Sequence, residues 1–136
     1  MIYTEHQHKI KVFYKDIDKM GIVYYSRYFE FFEQARTEFL KDISISVSEL
    51  EKEGYYLPVI KTSCNYYKSA SLEDELIIES SISSLSKVRL VITYKVFQKN
   101  NKSQLTVEGH TEHCFIKKSN NKPSRIPLFF TNALKI

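Results

Sequence analysis

Residues 27–42 read RYFEFFEQARTEFLKD, and their apolar side chains recur at intervals of three and four residues. That spacing is typical of an α-helix with one apolar face. The apolar arc is wide and rich in aromatic residues, comprising Tyr28, Phe29, Phe31, Phe32, Ala35, Phe39 and Leu40. An arc of this width needs cover over much of its circumference, which predicts a helix lying against a concave sheet. Ser26 stands just before the helix, and we expect its hydroxyl to cap the first backbone N–H groups.

The sequence on either side of this helix predicts strands. Residues that favour strands, with partial alternation of apolar and polar side chains, occur at 8–15, 57–68, 73–84, 87–99 and 103–117. Breaks between the last three segments, at 84–86 and 99–102, are typical of hairpin turns. The chain is therefore predicted to be one α+β domain, in which an antiparallel sheet wraps around a single long central helix.

A shorter helix is predicted between the long helix and the second strand. Ser46 and Glu49 have the spacing of a capping box, and Gly54 is suited to end the helix in a left-handed conformation. Near the end of the chain, Pro123 and Pro127 predict extended turns, because proline fixes φ and lacks a backbone N–H.

The composition excludes several classes of protein. Of the 136 residues, 43% are hydrophobic, which is too many for a disordered chain, and no run approaches the roughly 18 apolar residues of a membrane-spanning helix. The net charge is only +4 and no nucleic-acid-binding motif is present, so we expect neither nucleic acid as a partner nor membrane insertion. The polar first residues lack a signal region, which predicts a cytoplasmic protein with Cys64 and Cys114 as reduced thiols.

The chemistry is expected where the long helix begins. Asp18 stands three residues before Gly21, and this turn leads directly into the helix. A helix N-terminus carries free backbone N–H groups and the positive end of the helix dipole, which can stabilise an oxyanion. A carboxylate beside it can attack an activated acyl group or activate water. Taken by spacing alone, however, an aspartate before a glycine and a helix is most often an ordinary turn.

Two motifs resemble those of the 4-hydroxybenzoyl-CoA thioesterase family, and especially its acyl-CoA thioesterases associated with the Tol-Pal system. The first motif is DxxGIVYYxxYxxxFExxR at residues 18–36, and it is the more specific. The second is EGHTEH at 108–113 followed by PxxIP at 123–127. The likeness covers nearly the whole chain and implies the hotdog fold of that family.

The resemblance also implies roles for individual residues. Asp18 matches the catalytic aspartate, acting as the nucleophile or as a general base on water. The backbone N–H of Tyr25 matches the group that polarises the thioester carbonyl. Many relatives carry histidine at this position, and tyrosine, with an unperturbed pKa near 10, cannot replace an imidazole near neutral pH. Others carry tyrosine there, so activity is not excluded. Tyr24 and Tyr28 are predicted to line the acyl pocket as well as the core.

The family assembles as dimers and often as tetramers, with active sites at the dimer interface. We therefore expect a homodimer or homotetramer whose substrate is an acyl-CoA. Lys87 and Arg89 are the predicted contacts for the CoA phosphates, because basic side chains suit phosphate groups. No metal or redox cofactor is implied.

Other residues offer competing interpretations. Asp16 could be the working carboxylate instead of Asp18, although the motif favours Asp18. Some hotdog enzymes use a glutamate of the helix as the catalytic group, but an ion pair between Glu33 and Arg36 is the more ordinary interpretation. His110 and His113 lie three apart on a predicted strand and so face opposite sides, which argues against a metal site.

Two functions besides acyl-CoA hydrolysis stay open. The same chemistry could act on an acyl group carried by an acyl-carrier protein. Alternatively, the chain could be a non-catalytic hotdog protein that binds acyl-CoA or forms a scaffold.

Overall fold

The computed structural model describes residues 4–135, and its longest helix, α1, spans Arg27–Asp42 as predicted. The apolar face of α1 is almost completely buried at Tyr28, Phe31, Phe32, Ala35, Phe39 and Leu40. The opposite face carries charged side chains, including the ion pair of Arg27 with Glu30. The helix therefore owes its position to burial of this aromatic face, and each fully buried aromatic side chain contributes roughly 1.5–3 kcal/mol.

Five antiparallel strands form the sheet that receives α1. They are β1 at Glu5–Lys11, β3 at Val59–Tyr66, β4 at Glu75–Leu85, β5 at Leu90–Gln98 and β6 at Asn101–His113, in the order β1-β4-β5-β6-β3. The core face of β5 presents Leu90, Ile92, Tyr94 and Val96, all buried. This confirms the predicted α+β architecture of an antiparallel sheet around one long helix.

A second, smaller sheet and two short helices complete the described chain. The small sheet joins β2 at Tyr55–Tyr56, β7 at Phe115–Lys117 and β8 at Pro123–Ser124. The strand predicted at 103–117 is thus two strands, β6 and β7, which part at Cys114 and join different sheets. The short helices are α2 at Val47–Lys52 and α3 at Leu128–Ala133, and α3 stands where the sequence predicted only extended turns.

The helix and sheet meet most closely at Phe32. Its ring stacks on Tyr94 of β5 with centroids 4.5 Å apart and an interplanar angle of 10°. Gly109 of β6 lies directly against the Phe32 ring, and a Cβ there would overlap it and come within 3.2 Å of the Ser63 carbonyl oxygen. Glycine is therefore needed at this position for space and not for backbone conformation.

Three predicted details have different outcomes. Half of the capping box is confirmed, since the Ser46 hydroxyl accepts the Glu49 N–H at 3.2 Å, but among residues 4–135 the Glu49 side chain makes no return bond to the Ser46 N–H. Gly54 has the predicted left-handed φ of +89°. The first strand was predicted to reach residue 15 but ends at Lys11. The expected Ser26 cap is wrong, because Ser26 has a helical backbone conformation and its hydroxyl makes no capping hydrogen bond.

Within residues 4–135, no helix is both long and apolar enough to cross a membrane.

Candidate active site

A tight turn holds Asp18. Its Oδ1 accepts the Met20 N–H at 2.8 Å, and its carbonyl accepts the Gly21 N–H at 3.0 Å. Gly21 has φ +81°, a conformation that side-chain-bearing residues rarely adopt. The second carboxylate oxygen, Oδ2, has no hydrogen-bond partner among the described residues, so it is the oxygen available for chemistry.

The segment after the turn is fixed to the connection between β3 and β4 and to the preceding turn. The Val23 N–H donates to the Ala70 carbonyl at 2.8 Å, and Ile22 forms a bridge with Ser71. The Tyr24 N–H donates to the Asp16 carbonyl at 2.9 Å. These bonds hold the start of α1 beside the turn that carries the candidate carboxylate.

The start of α1 offers free donors. In the described part of the chain, the backbone N–H groups of Tyr25 and Ser26 reach no acceptor. They also lie at the positive end of a helix of 16 residues, where partial positive charge is concentrated. This is the arrangement that can polarise a carbonyl group brought beside Asp18.

Asp18 and Tyr25 line the same cleft, whose volume is about 510 Å³. Its walls are mostly apolar and unusually rich in tyrosine. They are formed by Met20, Ile22, Val23, Tyr24, Tyr28, Tyr66, Tyr67, Lys68 and Ser69 in addition to Asp18 and Tyr25. The structure therefore brings together Asp18, Tyr24, Tyr25 and Tyr28, four of the six residues that the sequence singled out.

Three tyrosines of the cleft, Tyr24, Tyr28 and Tyr66, are unsuited to accept protons near neutral pH. Burial raises the pKa of Tyr28 and of Tyr66 well above the usual value of 10. The pKa of Tyr24 is also raised, chiefly by a hydrogen bond to the neighbouring Tyr25 hydroxyl. Their hydroxyls stay protonated and can donate hydrogen bonds. Asp18 supplies the carboxylate among the residues that line the cleft.

Lys87 and Arg89 lie elsewhere in the chain. Both are exposed in the turn between β4 and β5, where the Ser86 hydroxyl accepts the Arg89 N–H at 3.0 Å; the sequence had placed them at the start of a strand. The segment with Asp18 meets the sheet just before β4 begins, and the 11 residues of β4 span about 35 Å. A single chain therefore does not bring these two side chains to the cleft.

The competing carboxylates also lie outside the cleft. Asp16 is buried, and its Oδ2 accepts the Phe13 N–H at 2.9 Å, which closes the short 3-10 turn at Tyr14–Asp16 and ends the first strand early. Glu33 is exposed on a later turn of α1.

The expected ion pair between Glu33 and Arg36 is wrong. Within residues 4–135, no carboxylate lies within 4 Å of the Arg36 guanidinium. It donates instead to the Tyr94 hydroxyl at 3.1 Å.

The two histidines of β6 face opposite sides of the sheet, as predicted. His110 is partly exposed and its Nδ1 lies 3.0 Å from the Thr93 hydroxyl, whereas His113 is completely buried. Among residues 4–135, no three His, Cys, Asp or Glu side chains are grouped closely enough to hold a metal ion.

Among the residues of the cleft that were not predicted, Tyr66 and Lys68 carry polar groups relevant to the site. The Tyr66 hydroxyl donates to the Tyr25 carbonyl at 2.9 Å across 41 residues of sequence. Lys68 is an exposed basic side chain on the wall of the cleft. The only signal available in the sequence was the NYYKS run at 65–69, whose polar residues follow a predicted strand that ends near the helix.

Known proteins resemble this chain in sequence and structure. The family sequence model of the thioesterase-like superfamily matches residues 12–134 of this chain. Acyl-CoA thioester hydrolase YbgC of Escherichia coli O157:H7 is 36% identical over 92 residues, which are 68% of this chain and 69% of that protein.

Solved structures agree with the sequence relatives. A hypothetical protein from Aquifex aeolicus superposes with a TM-score of 0.87 and 27% identity, covering 95% of this chain and 98% of that one. The DHNA-CoA thioesterase from Staphylococcus aureus has a TM-score of 0.84 and 30% identity, with coverage of 94% and 85%.

The fold, the aspartate at the helix start and these relatives lead to one assignment. The predicted hotdog architecture and the predicted class of enzyme, a thioester hydrolase, are confirmed by the match of the family model to most of the chain. This chain belongs to the thioesterase-like superfamily.

Proposed function

We propose that this protein hydrolyses acyl-CoA thioesters to a free acid and CoA, with Asp18 as the catalytic carboxylate and the Tyr25 backbone N–H polarising the thioester carbonyl. One observation carries the proposal. A carboxylate with a free oxygen and an N–H at the start of α1 line the same cleft, and neither that oxygen nor the N–H has a partner within residues 4–135. The name of the Escherichia coli relative supports acyl-CoA as the class of substrate.

The geometry is compatible with two routes. As a nucleophile, Asp18 Oδ2 would bond to the thioester carbon while the C–S bond breaks, and water would then cleave the resulting acyl-aspartyl anhydride. As a general base, Asp18 would take a proton from a water molecule that attacks the same carbon, and the departing sulfur would be protonated. In both routes the carbonyl oxygen gains negative charge, which the start of α1 stabilises.

The acyl group is proposed to lie among the tyrosines of the cleft. Tyr24 is exposed and packs on the Tyr25 ring with centroids 4.6 Å apart, so it can form a movable wall. Tyr28 is only 2% exposed and forms the floor between the cleft and the core. Because both present ring surface, an acyl group can be held by apolar contact without a charged partner.

The pantetheine and nucleotide of CoA must extend out of the cleft. Lys68 is the basic residue on the cleft wall of the same chain and is placed to meet them. Lys87 and Arg89 stay candidates for the CoA phosphates only if a second subunit brings its hairpin to the cleft. Their role is therefore tied to the proposed assembly.

We propose that assembly to be a homodimer, or a homotetramer built from it. Strand β3 pairs with β6 on one side and lies at the edge of the sheet. Almost every residue of β3 is exposed, including Val59 and Ile60, each 42% exposed. An exposed apolar edge strand invites pairing with another chain. Light scattering during gel filtration should give at least twice the monomer mass, and Ile60→Lys should shift the protein toward monomer.

Two finer assignments belong to the same proposal. Within the superfamily, we propose that the chain belongs with the 4-hydroxybenzoyl-CoA and Tol-Pal-associated thioesterases. The motif at residues 18–36 supports this placement. The proposed location is the cytoplasm, which agrees with Cys64 and Cys114 being free thiols.

The activity is tested by CoA release from short-chain, long-chain and aromatic acyl-CoAs, followed with a thiol reagent. Appearance of free acid and CoA in equal amounts is the expected result, and the rates rank the acyl groups. The same acyl groups on an acyl-carrier protein serve as competing substrates. Release from the carrier alone would change the substrate class, and no release from either would contradict the proposed function.

A further inference from the structure

We infer that Tyr66 is a positioning residue that sets the orientation of the Tyr25–Ser26 peptide at the start of α1. This inference rests on the proposed function, because it assigns the Ser26 N–H of that peptide as a second oxyanion donor beside the Tyr25 N–H. Tyr66 is the last residue of β3, so the edge strand of the sheet reaches the start of the helix through this one side chain.

The Tyr66 hydroxyl contacts the start of α1 at one carbonyl group. The Tyr66 hydroxyl lies 2.9 Å from the Tyr25 carbonyl oxygen, which has no other hydrogen-bond partner among residues 4–135. The Tyr66 ring also packs edge-on against Tyr28, with centroids 5.7 Å apart, and this fixes the direction from which the hydroxyl approaches. Burial raises the pKa of Tyr66, so the hydroxyl remains a donor throughout the neutral range.

Fixing the carbonyl also fixes a donor. A trans peptide is planar, so the Tyr25 carbonyl and the Ser26 N–H point in opposite directions. When Tyr66 holds the carbonyl in place, the Ser26 N–H on the opposite side of the same planar peptide is held in place as well. The Tyr25 N–H belongs to the preceding peptide, so the donor that Tyr66 orients is the Ser26 N–H.

The local backbone bonds close around this peptide without engaging its own carbonyl and N–H groups. The Arg27 N–H donates to the Tyr24 carbonyl at 2.9 Å and closes the turn that contains the peptide. The Ser26 side chain makes no capping bond, and the Tyr25 and Ser26 N–H groups have no acceptor in the described chain. A helix start with a side-chain cap would hold its own first peptide. Here a side chain from a distant strand, Tyr66, makes the one hydrogen bond to this peptide's own groups among residues 4–135, and it thereby orients the Ser26 N–H.

Tyr66→Phe tests the inference because it removes one oxygen atom and keeps the ring that packs on Tyr28. The matched control is Tyr14→Phe, since Tyr14 is 80% exposed and its hydroxyl makes no hydrogen bond within residues 4–135. We expect kcat of Tyr66→Phe to fall about tenfold, less than the loss of an oxyanion donor itself. KM should change less than about twofold and the pH profile of kcat should keep its shape, because the hydroxyl neither binds substrate nor transfers a proton.

A readout independent of turnover accompanies the kinetics. The amide resonance of Ser26 in a 1H–15N NMR spectrum should shift in Tyr66→Phe and stay unchanged in Tyr14→Phe. An unchanged kcat and an unchanged Ser26 resonance would overturn the inference. A rise in KM alone would make Tyr66 a substrate contact, and loss of one limb of the pH profile would make it an acid or base; either result would also overturn it.

The two proposals can fail separately. If the wild-type protein releases CoA but Tyr66→Phe is as fast, the positioning role is wrong and the function stands. If the wild type hydrolyses no acyl-CoA, the proposed function is wrong, while the Ser26 resonance still tests whether Tyr66 fixes the peptide.

Discussion

Acidification should destabilise this protein through one buried imidazole. His113, at the end of β6, is fully buried; its Nε2 lies 2.8 Å from the Thr111 hydroxyl, while its Nδ1 has no hydrogen-bond partner in the described chain. Burial, and secondarily the positive charge of Arg36, lower the pKa of His113 from 6.5 to about 4, although the carbonyls of Leu57 and Pro58 oppose the change. The folded protein therefore keeps this imidazole neutral in mild acid.

Whether acid raises or lowers the free energy of unfolding depends on whether the folded or the unfolded chain binds the proton of His113 more tightly. Below pH 6.5 the unfolded chain protonates His113, whereas the folded chain does not until about pH 4. Stability from this group is fully present above pH 6.5 and is lost as the pH falls from 6.5 to about 4. At about 1.4 kcal/mol for each tenfold difference in proton affinity, the loss is about 3 kcal/mol.

Urea unfolding followed by circular dichroism between pH 7 and pH 4, at constant protein concentration, measures this loss. The free energy of unfolding of the wild type should fall by about 3 kcal/mol more than that of His113→Gln over this range. His110→Gln is the matched control, since it removes an imidazole from the opposite face and keeps His113. If the chosen variant does not fold, the ring resonances of His113 in the wild type should still show a neutral imidazole at pH 5. Equal pH dependence in wild type and His113→Gln, or a protonated ring at pH 5, would refute the reasoning.

Two further predictions concern packing between α1 and the sheet, and both are checked by urea unfolding at pH 7. Tyr94→Phe should lower the free energy of unfolding by about 1–3 kcal/mol, because the Arg36 guanidinium and the Thr111 hydroxyl, 3.1 Å and 2.7 Å from the Tyr94 oxygen, both lose a partner; unchanged stability would contradict this. Gly109→Ala should cost about 1–3 kcal/mol, because the added methyl group overlaps the Phe32 ring and forces it to shift. A variant at Gly109 as stable as the wild type would mean that the ring is loosely packed.

The long helix was predictable because its information is local. Its apolar residues follow a helical period over 16 residues, and the predicted and observed bounds agree. The helix α3 was not predictable in this way. It has six residues, no side-chain cap and a proline before it, and it is held by Phe130 and Leu134 packing into the core.

The ends of strands were set by contacts that a periodic pattern does not contain. The first strand stops early because the Asp16 carboxylate bonds the Phe13 N–H and turns the chain. The strand predicted at 103–117 divides at Cys114 because the residues beyond it pair with Tyr55–Tyr56 and not with the large sheet. Both events depend on which partner lies nearby in space.

The residues of the candidate site also differ in whether local sequence or the three-dimensional fold identifies them. Asp18 and Tyr25 lie within eight positions of each other in one motif, so the resemblance of that motif to a known family was enough to single them out. Tyr66 joins them only through the path of β3, and its hydroxyl could have been predicted as a partner of Tyr25 only with the sheet order in hand. Lys68 is on the cleft wall for the same reason, whereas Lys87 and Arg89 were chosen on charge alone.

The central claim is that the carboxylate of Asp18 performs the hydrolysis. Asp18→Asn keeps an oxygen that can accept the Met20 N–H, so the turn and the fold should be preserved. Asp42→Asn is the matched control, because it removes the same negative charge from a residue that is exposed at the far end of α1.

CoA release by wild type, Asp18→Asn and Asp42→Asn, measured side by side on the best acyl-CoA, is the decisive measurement. Asp18→Asn should lower kcat at least about 100-fold with its melting temperature retained, and Asp42→Asn should match the wild type. An Asp18→Asn protein that keeps most of the wild-type rate would remove this carboxylate from the mechanism.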